Sequence, residues 1–161
     1  MKFKKSLAKV VAAVSLAFAG FVAVNTVNTQ NNTVQAASKT SRRNKVVSLA
    51  KKQVGKPYVY GATGPNAFDC SGLTSYVYSH AIGKYISRTT YSQVYQGKTV
   101  KVSTASLKKG DLLFWGSKYS PYHVGIYVGG GQYVHAATPS QGVRKQYLSF
   151  YFWPSTAKRV I

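Results

Sequence analysis

The sequence predicts an α+β domain, with helices first and an antiparallel sheet after them. Three observations carry this. Apolar residues recur at helical spacing up to about residue 81. Beyond residue 97, short apolar runs bounded by Gly, Ser and Lys replace them. Gly129-Gly130-Gly131 marks a tight hairpin between two such runs. A chain of 161 residues, 45% of them hydrophobic, supports one small domain with its own core.

The chain opens with Lys2, Lys4, Lys5 and Lys9, followed by an apolar run over residues 10–24 and small residues ending in Ala36-Ala37-Ser38. A positive start, an apolar middle and a small-residue cut site read as a secretory signal over 1–37, cleaved after Ala36 or Ala37. An uncleaved anchor is the alternative, although the run is shorter than the ~20 residues a bilayer requires. No Cys follows the run closely, which excludes lipid attachment there. Residues 38–41 read as a short tail. Ser41 can cap a helix over 42–54, with Val46, Val47, Leu49, Ala50 and Val54 as its apolar stripe and Gly55 as its stop. Residues 56–69 form a Gly/Pro-rich loop. A second helix is expected over 70–80, with Leu73, Tyr76, Val77 and Ala81 on one face and Gly83 ending it. Thr89 or Thr90 caps a short helix stopped by Gly97. Strands are expected at 111–115, 123–128, 132–136, 142–146 and 157–161. No repeat and no second folded module is evident, so residues 42–161 read as one domain.

Charge narrows the chemistry. Lys and Arg number 22 against two acids, Asp69 and Asp111, for a net charge of +20, and there is no Glu. Paired-carboxylate hydrolysis is excluded unless those two Asp meet, and so are carboxylate-rich cation cages. Without the four lysines of the signal, 18 basic residues remain against two acids, net +16. Such a field favours polyanions, including anionic wall polymers, or simply solvates a surface exposed to a charged wall. The basic residues are dispersed and carry no nucleic-acid-binding signature.

Cys70 is the one cysteine, so no internal disulfide framework exists. An unpaired thiol in an exported protein is open to oxidation, which points to a use. It sits where a Gly/Pro loop becomes a helix, and free N–H groups there are expected to depress a thiol pKa. Asp69, Ser71 and Gly72 around it are small or polar. A thiol that attacks an amide needs an imidazole to take and return its proton. His80, ten residues along the same helix, is too far. His123 and His135 flank HVGIYVGGGQYVH. With the hairpin centred on Gly129 they oppose each other on one face, so one pairs with the thiol and the other orients it. Zinc on Cys70, His123 and His135 is the competing reading.

NAFDCSGLTSYVY, KKGDLLFW and HVGIYVGGGQYVHA, with PYVYGATGP and ISRTTYSQ, resemble in order and spacing the NlpC-type (NlpC and p-sixty) cell-wall cysteine endopeptidases, over about residues 42–161. The resemblance implies a papain-like α+β fold, with N-terminal helices packed on a C-terminal antiparallel sheet. It implies hydrolysis of peptidoglycan stem peptides, typically between γ-D-Glu and the diamino acid, without a cofactor or metal. It assigns Cys70 as nucleophile, His123 as base and His135 as orienting residue. It places Asp69 and Ser71 against the substrate's free amine or peptide. It also puts Tyr58 near the thiol and Tyr60 in an aromatic wall where many members have Trp. Asp111 reads as structural, and Phe68, Leu73, Trp115 and Val124 as core. Ala62 and Ser87 depart from the family pattern and leave subsite preference open. A muramoyl-L-alanine amidase or transacylase on the same scaffold, or a non-catalytic basic wall-binding module, are the alternatives. A monomer is expected.

Overall fold

The computed structural model describes residues 30–161. The first 29 residues of the expected export segment lie outside the described residues. The chain divides into two compact units, 1–39 and Thr40–Ile161. Residues 30–39 are helical with exposed side chains. Residues 38–41, expected as a tail, are also helical, so Ser41 lies within a helix instead of capping one. No Gly or Pro interrupts the sequence from residue 30 to 54, which removes any local reason for a helix to wait until 42.

In the second unit, α1 (residues 40–52) ends two residues earlier than expected, in a turn completed by Gly55. Val46, Val47 and Ala50 are buried, but Val54, also expected in the stripe, lies in the turn past the helix end and is exposed. Helix α2 is Cys70–Ile82, capped by Asp69 at its start and by Gly83, at φ 63°, at its end. Helix α3 is one turn, Thr90–Gln93, capped by the Thr89 hydroxyl.

Six antiparallel strands follow: β1 Lys98–Val100, β2 Leu112–Gly116, β3 Pro121–Gly129, β4 Gln132–Ala136, β5 Val143–Tyr147 and β6 Thr156–Arg159. Their order across the sheet is β1-β6-β2-β3-β4-β5. Strands β2 to β5 form a meander. The last strand returns to pair with β2 and carries β1 on its outer edge, a pairing that local sequence did not announce. Val124, Ile126 and Val128 pack with Leu73 and Val77 in the larger core, and Leu113, Trp115, Tyr127 and Tyr133 form a second cluster. This is the papain-like α+β arrangement that the sequence predicts. Asp111 is structural, with a carboxylate that accepts from Arg159 and from the Lys108 backbone N–H.

The β3–β4 hairpin differs from expectation in a way that matters. Its turn residues are Gly130 and Gly131, both at positive φ, so it is not centred on Gly129. Gly129 pairs with Gln132, but Tyr127 pairs with Tyr133 and Ile126 with Val134, so β3 carries one extra residue at 128. Without that bulge, residues 123 and 135 would point to opposite faces, because side chains alternate. With it, both histidines share a face, offset diagonally instead of directly opposed.

Candidate active site

Cys70 opens α2. Asp69 holds that end in place: its carboxylate accepts from the Gly72 N–H at 2.7 Å and the Gly61 N–H at 2.9 Å. A Cβ at Gly72 would lie 2.1 Å from the Ala62 carbonyl oxygen, so only glycine lets the 57–62 loop close against the helix start. The sulfur packs in the same core cluster as Val124, and the backbone N–H groups of Val124, Ser71 and Cys70 itself favour its thiolate. Val124 follows His123 on β3, so the thiol docks one residue from that histidine. The β3–β4 pairing ends at Ile126, which leaves the strand free to meet the helix there.

The expected depression of the thiol pKa is reversed. Burial pushes Cys70 up from 9.0, the nearby Asp69 charge adds to this, and the three backbone N–H groups only partly oppose it. Sequence placed the thiol at a helix start, but whether that start would be dry depends on the whole fold.

His123 Nε2 lies 2.7 Å from His135 Nδ1, the two rings meeting edge to face at 78°. Trp115 flanks both, with ring centroids 5.4 Å from His123 and 6.4 Å from His135. The Trp115 Nε1–H donates to the Phe152 carbonyl, and the Phe152 ring stacks on the indole at 5.0 Å. Burial, helped by the neighbouring ring, lowers His123 from 6.5 to about 3. Burial lowers His135 to about 4, against a hydrogen bond to the Gln146 amide oxygen that raises it and an Arg144 charge that lowers it further. At rest both rings are therefore neutral and the thiol is protonated. His80 Nδ1 donates to the Tyr76 carbonyl of its own helix.

A cleft of about 490 Å³ is lined by Cys70 with Tyr58, Tyr60, Asp69, Ser71 and Arg88, and also by Tyr91 and Tyr122. Tyr58 and Tyr60 line the same cleft as Cys70. Asp69 and Ser71 also line the cleft, but the carboxylate is not bare. Arg88 spans Asp69 and reaches the Ser71 hydroxyl at 2.9 Å. The cleft therefore presents an ion pair. Sequence reading missed Arg88 as a site residue because it lies 19 positions from Asp69 with no periodic link to it. It also missed Gln146, whose Oε1 lies 3.1 Å from His135 Nε2. Among the described residues, no three His, Cys, Asp or Glu side chains group as metal ligands.

The family model of the NlpC/P60 family matches residues 55–161. The gamma-DL-glutamyl hydrolase of Bacillus subtilis is 39% identical over 113 residues, which are 68% of this chain and 27% of that protein. The crystal structure of the NlpC/p60 domain of the peptidoglycan hydrolase SagA superposes with TM-score 0.67 at 43% identity, covering 73% of this chain and 97% of that one. The peptidoglycan hydrolase RipB of Mycobacterium tuberculosis gives TM-score 0.67 at 27% identity, covering 78% and 67%. The chain spans between 20% and 53% of the length of the first curated relatives it matches. Fold, matched residues and relatives agree: the chain belongs to the NlpC/P60 family.

Proposed function

We propose that this protein is a peptidoglycan hydrolase that cuts stem peptides between γ-D-Glu and the diamino acid, with Cys70, His123 and His135 as its catalytic residues. The observation that carries the reading is a helix-start thiol that lines a tyrosine-walled cleft and packs with Val124, the β3 neighbour of a histidine that a second histidine meets at 2.7 Å. The γ-glutamyl bond is supported by the 39% identity to a gamma-DL-glutamyl hydrolase, and peptidoglycan by the two hydrolase structures above.

In the proposed cycle His123 takes the thiol proton as sulfur bonds to the γ-glutamyl carbonyl carbon. Unliganded sites commonly hold such pairs apart and tighten them when substrate enters. The oxyanion is met by backbone N–H at the helix start, that of Cys70 included, with the Tyr58 hydroxyl as a further donor. The C–N bond then breaks and protonated His123 gives its proton to the leaving amine. Water, deprotonated by His123, splits the thioester, releasing the γ-carboxyl group and the thiol. Tyr60 walls the peptide, and the Asp69–Arg88 pair with Ser71 meets its polar end.

The reading extends to the whole chain: residues 1–37 direct export and are removed, and residues 42–161 act as a monomer at the wall, where net +16 favours anionic polymers. Digestion of defined muropeptides followed by mass spectrometry tests it. New amine ends on the diamino acid support the bond assignment, and cleavage elsewhere overturns it.

A further inference from the structure

We infer that Gln146 is a positioning residue that sets the proton arrangement of both histidines, so that the active relay has four members, Cys70, His123, His135 and Gln146. This rests on the cysteine-hydrolase reading above and adds to it a residue that acts on the reaction through two intervening rings.

The registers draw the line. Strand β4 pairs with β5 so that His135 faces Arg144 and Tyr133 faces Gln146. Strand β3 pairs with β4 so that Tyr127 faces Tyr133. His123, His135 and Gln146 therefore stand on three adjacent strands, each displaced two residues from the last along one diagonal of one face. The contacts along it are 2.7 Å between the rings and 3.1 Å from His135 to the amide oxygen.

The chemistry of the ends fixes the middle. Gln146 Oε1 has lone pairs and no proton, so His135 Nε2 must be the donor to it. A neutral imidazole carries one proton, so His135 Nδ1 is a lone pair. His123 Nε2, at hydrogen-bond distance from that lone pair, must then be N–H. This leaves His123 Nδ1 as the one basic atom of the relay, free to receive the thiol proton. Were His135 protonated on Nδ1 instead, His123 would have to offer Nε2 to it as acceptor. Its proton would move to Nδ1, and that atom could no longer act as the base. The amide at the sheet edge thus decides which nitrogen can act two strands away.

The relay needs one proton per ring, and the surroundings enforce it. The titratable and charged groups around His135 are His123 on β3, Tyr133 on its own strand with rings 4.8 Å apart, and Arg144 directly opposite on β5. None is an acid. Burial and the Arg144 charge together keep His135 neutral down to about pH 4.

The test is long-range proton–nitrogen NMR of the histidine rings in the full chain, without substrate, near neutral pH. His135 protonated on Nε2 and His123 on Nε2, with Gln146→Leu shifting His135 towards Nδ1–H, supports the inference. An unchanged tautomer in Gln146→Leu overturns it. Gln146→Glu, nearly isosteric, carries the test if the leucine variant fails to fold. A carboxylate raises the His135 pKa, and once charged that ring donates from Nδ1 and reverses the relay. The acid limb of kcat should therefore move towards neutral pH by about one unit or more, with full recovery in alkali and little change in KM. Gln146→Leu should instead lose about tenfold in kcat at every pH. A Gln146→Glu profile that superimposes on that of the unsubstituted protein overturns the inference. The NMR result needs no turnover, so correct tautomers in a protein that cuts no stem peptide would sink the enzymatic reading alone.

Discussion

Gly125 lies beside His135, one residue beyond the last β3–β4 pair, and a Cβ on it would lie 3.2 Å from the His135 Cβ and 3.1 Å from the Tyr133 ring. The empty space at Gly125 is what lets the His135 ring lean along the diagonal towards His123. Gly125→Ala should push His135 by a few tenths of an ångström and lower kcat roughly three- to tenfold. Gly125→Val should cost about a hundredfold, because misplacement by about 1 Å is that expensive in an oriented site. Steady-state kinetics beside circular dichroism checks this. Full activity in Gly125→Val would mean that the ring contact is not needed.

The protonation states make a second expectation. With Cys70 raised above 9.0 and His123 lowered to about 3, the resting pair is thiol and imidazole, not thiolate and imidazolium. Alkylation of Cys70 by iodoacetamide should then be slow at neutral pH and rise only in alkali. A fast reaction with an apparent pKa near 4 would reveal a resting ion pair.

Stability should depend on acid through the same two rings. Unfolded imidazole titrates near 6.5, while the folded His123 and His135 titrate at about 3 and about 4. Between those values the unfolded chain binds more protons, so stability is full above about 6.5 and falls as pH drops through the window. Two such rings are worth on the order of a few kcal/mol. Urea midpoints at pH 7 and pH 4.5 should therefore differ more than those of a His123→Gln/His135→Gln protein. Equal slopes would count against buried neutral rings.

Asp69 should divide stability from catalysis. It caps α2 and pairs with Arg88, so Asp69→Ala removes both contacts and should cost about 1–2 kcal/mol, roughly 3–6 °C in melting temperature. Asp69→Asn keeps an N-cap side chain and should recover most of that loss, while leaving Arg88 unpaired at the cleft. If Asn and Ala melt alike, the cap is not what the carboxylate supplies.

These predictions draw unequally on what was readable in sequence. Cys70, the Gly83 and Thr89 caps, and strands β2 to β5 were legible because their signals are local: a helix start after a Gly/Pro loop, a glycine after the last turn, short apolar runs. The shared face of His123 and His135 was anticipated, but through a turn centred on Gly129 instead of between Gly130 and Gly131. The bulge at Val128 that preserves the parity has no residue signature of its own. Arg88 and Gln146 stayed hidden because each meets its partner across a loop or a neighbouring strand. The direction of the Cys70 shift also stayed hidden, because desolvation is a property of the packed molecule and not of the helix start that sequence reveals.

The most direct test is mass spectrometry of acid-quenched protein caught while turning over a stem peptide. The account predicts a thioester on the peptide containing Cys70, with the mass of the fragment ending in γ-D-Glu, and neither adduct nor cleavage in Cys70→Ala. Undiminished cleavage by Cys70→Ala, or turnover that never loads Cys70, would contradict it.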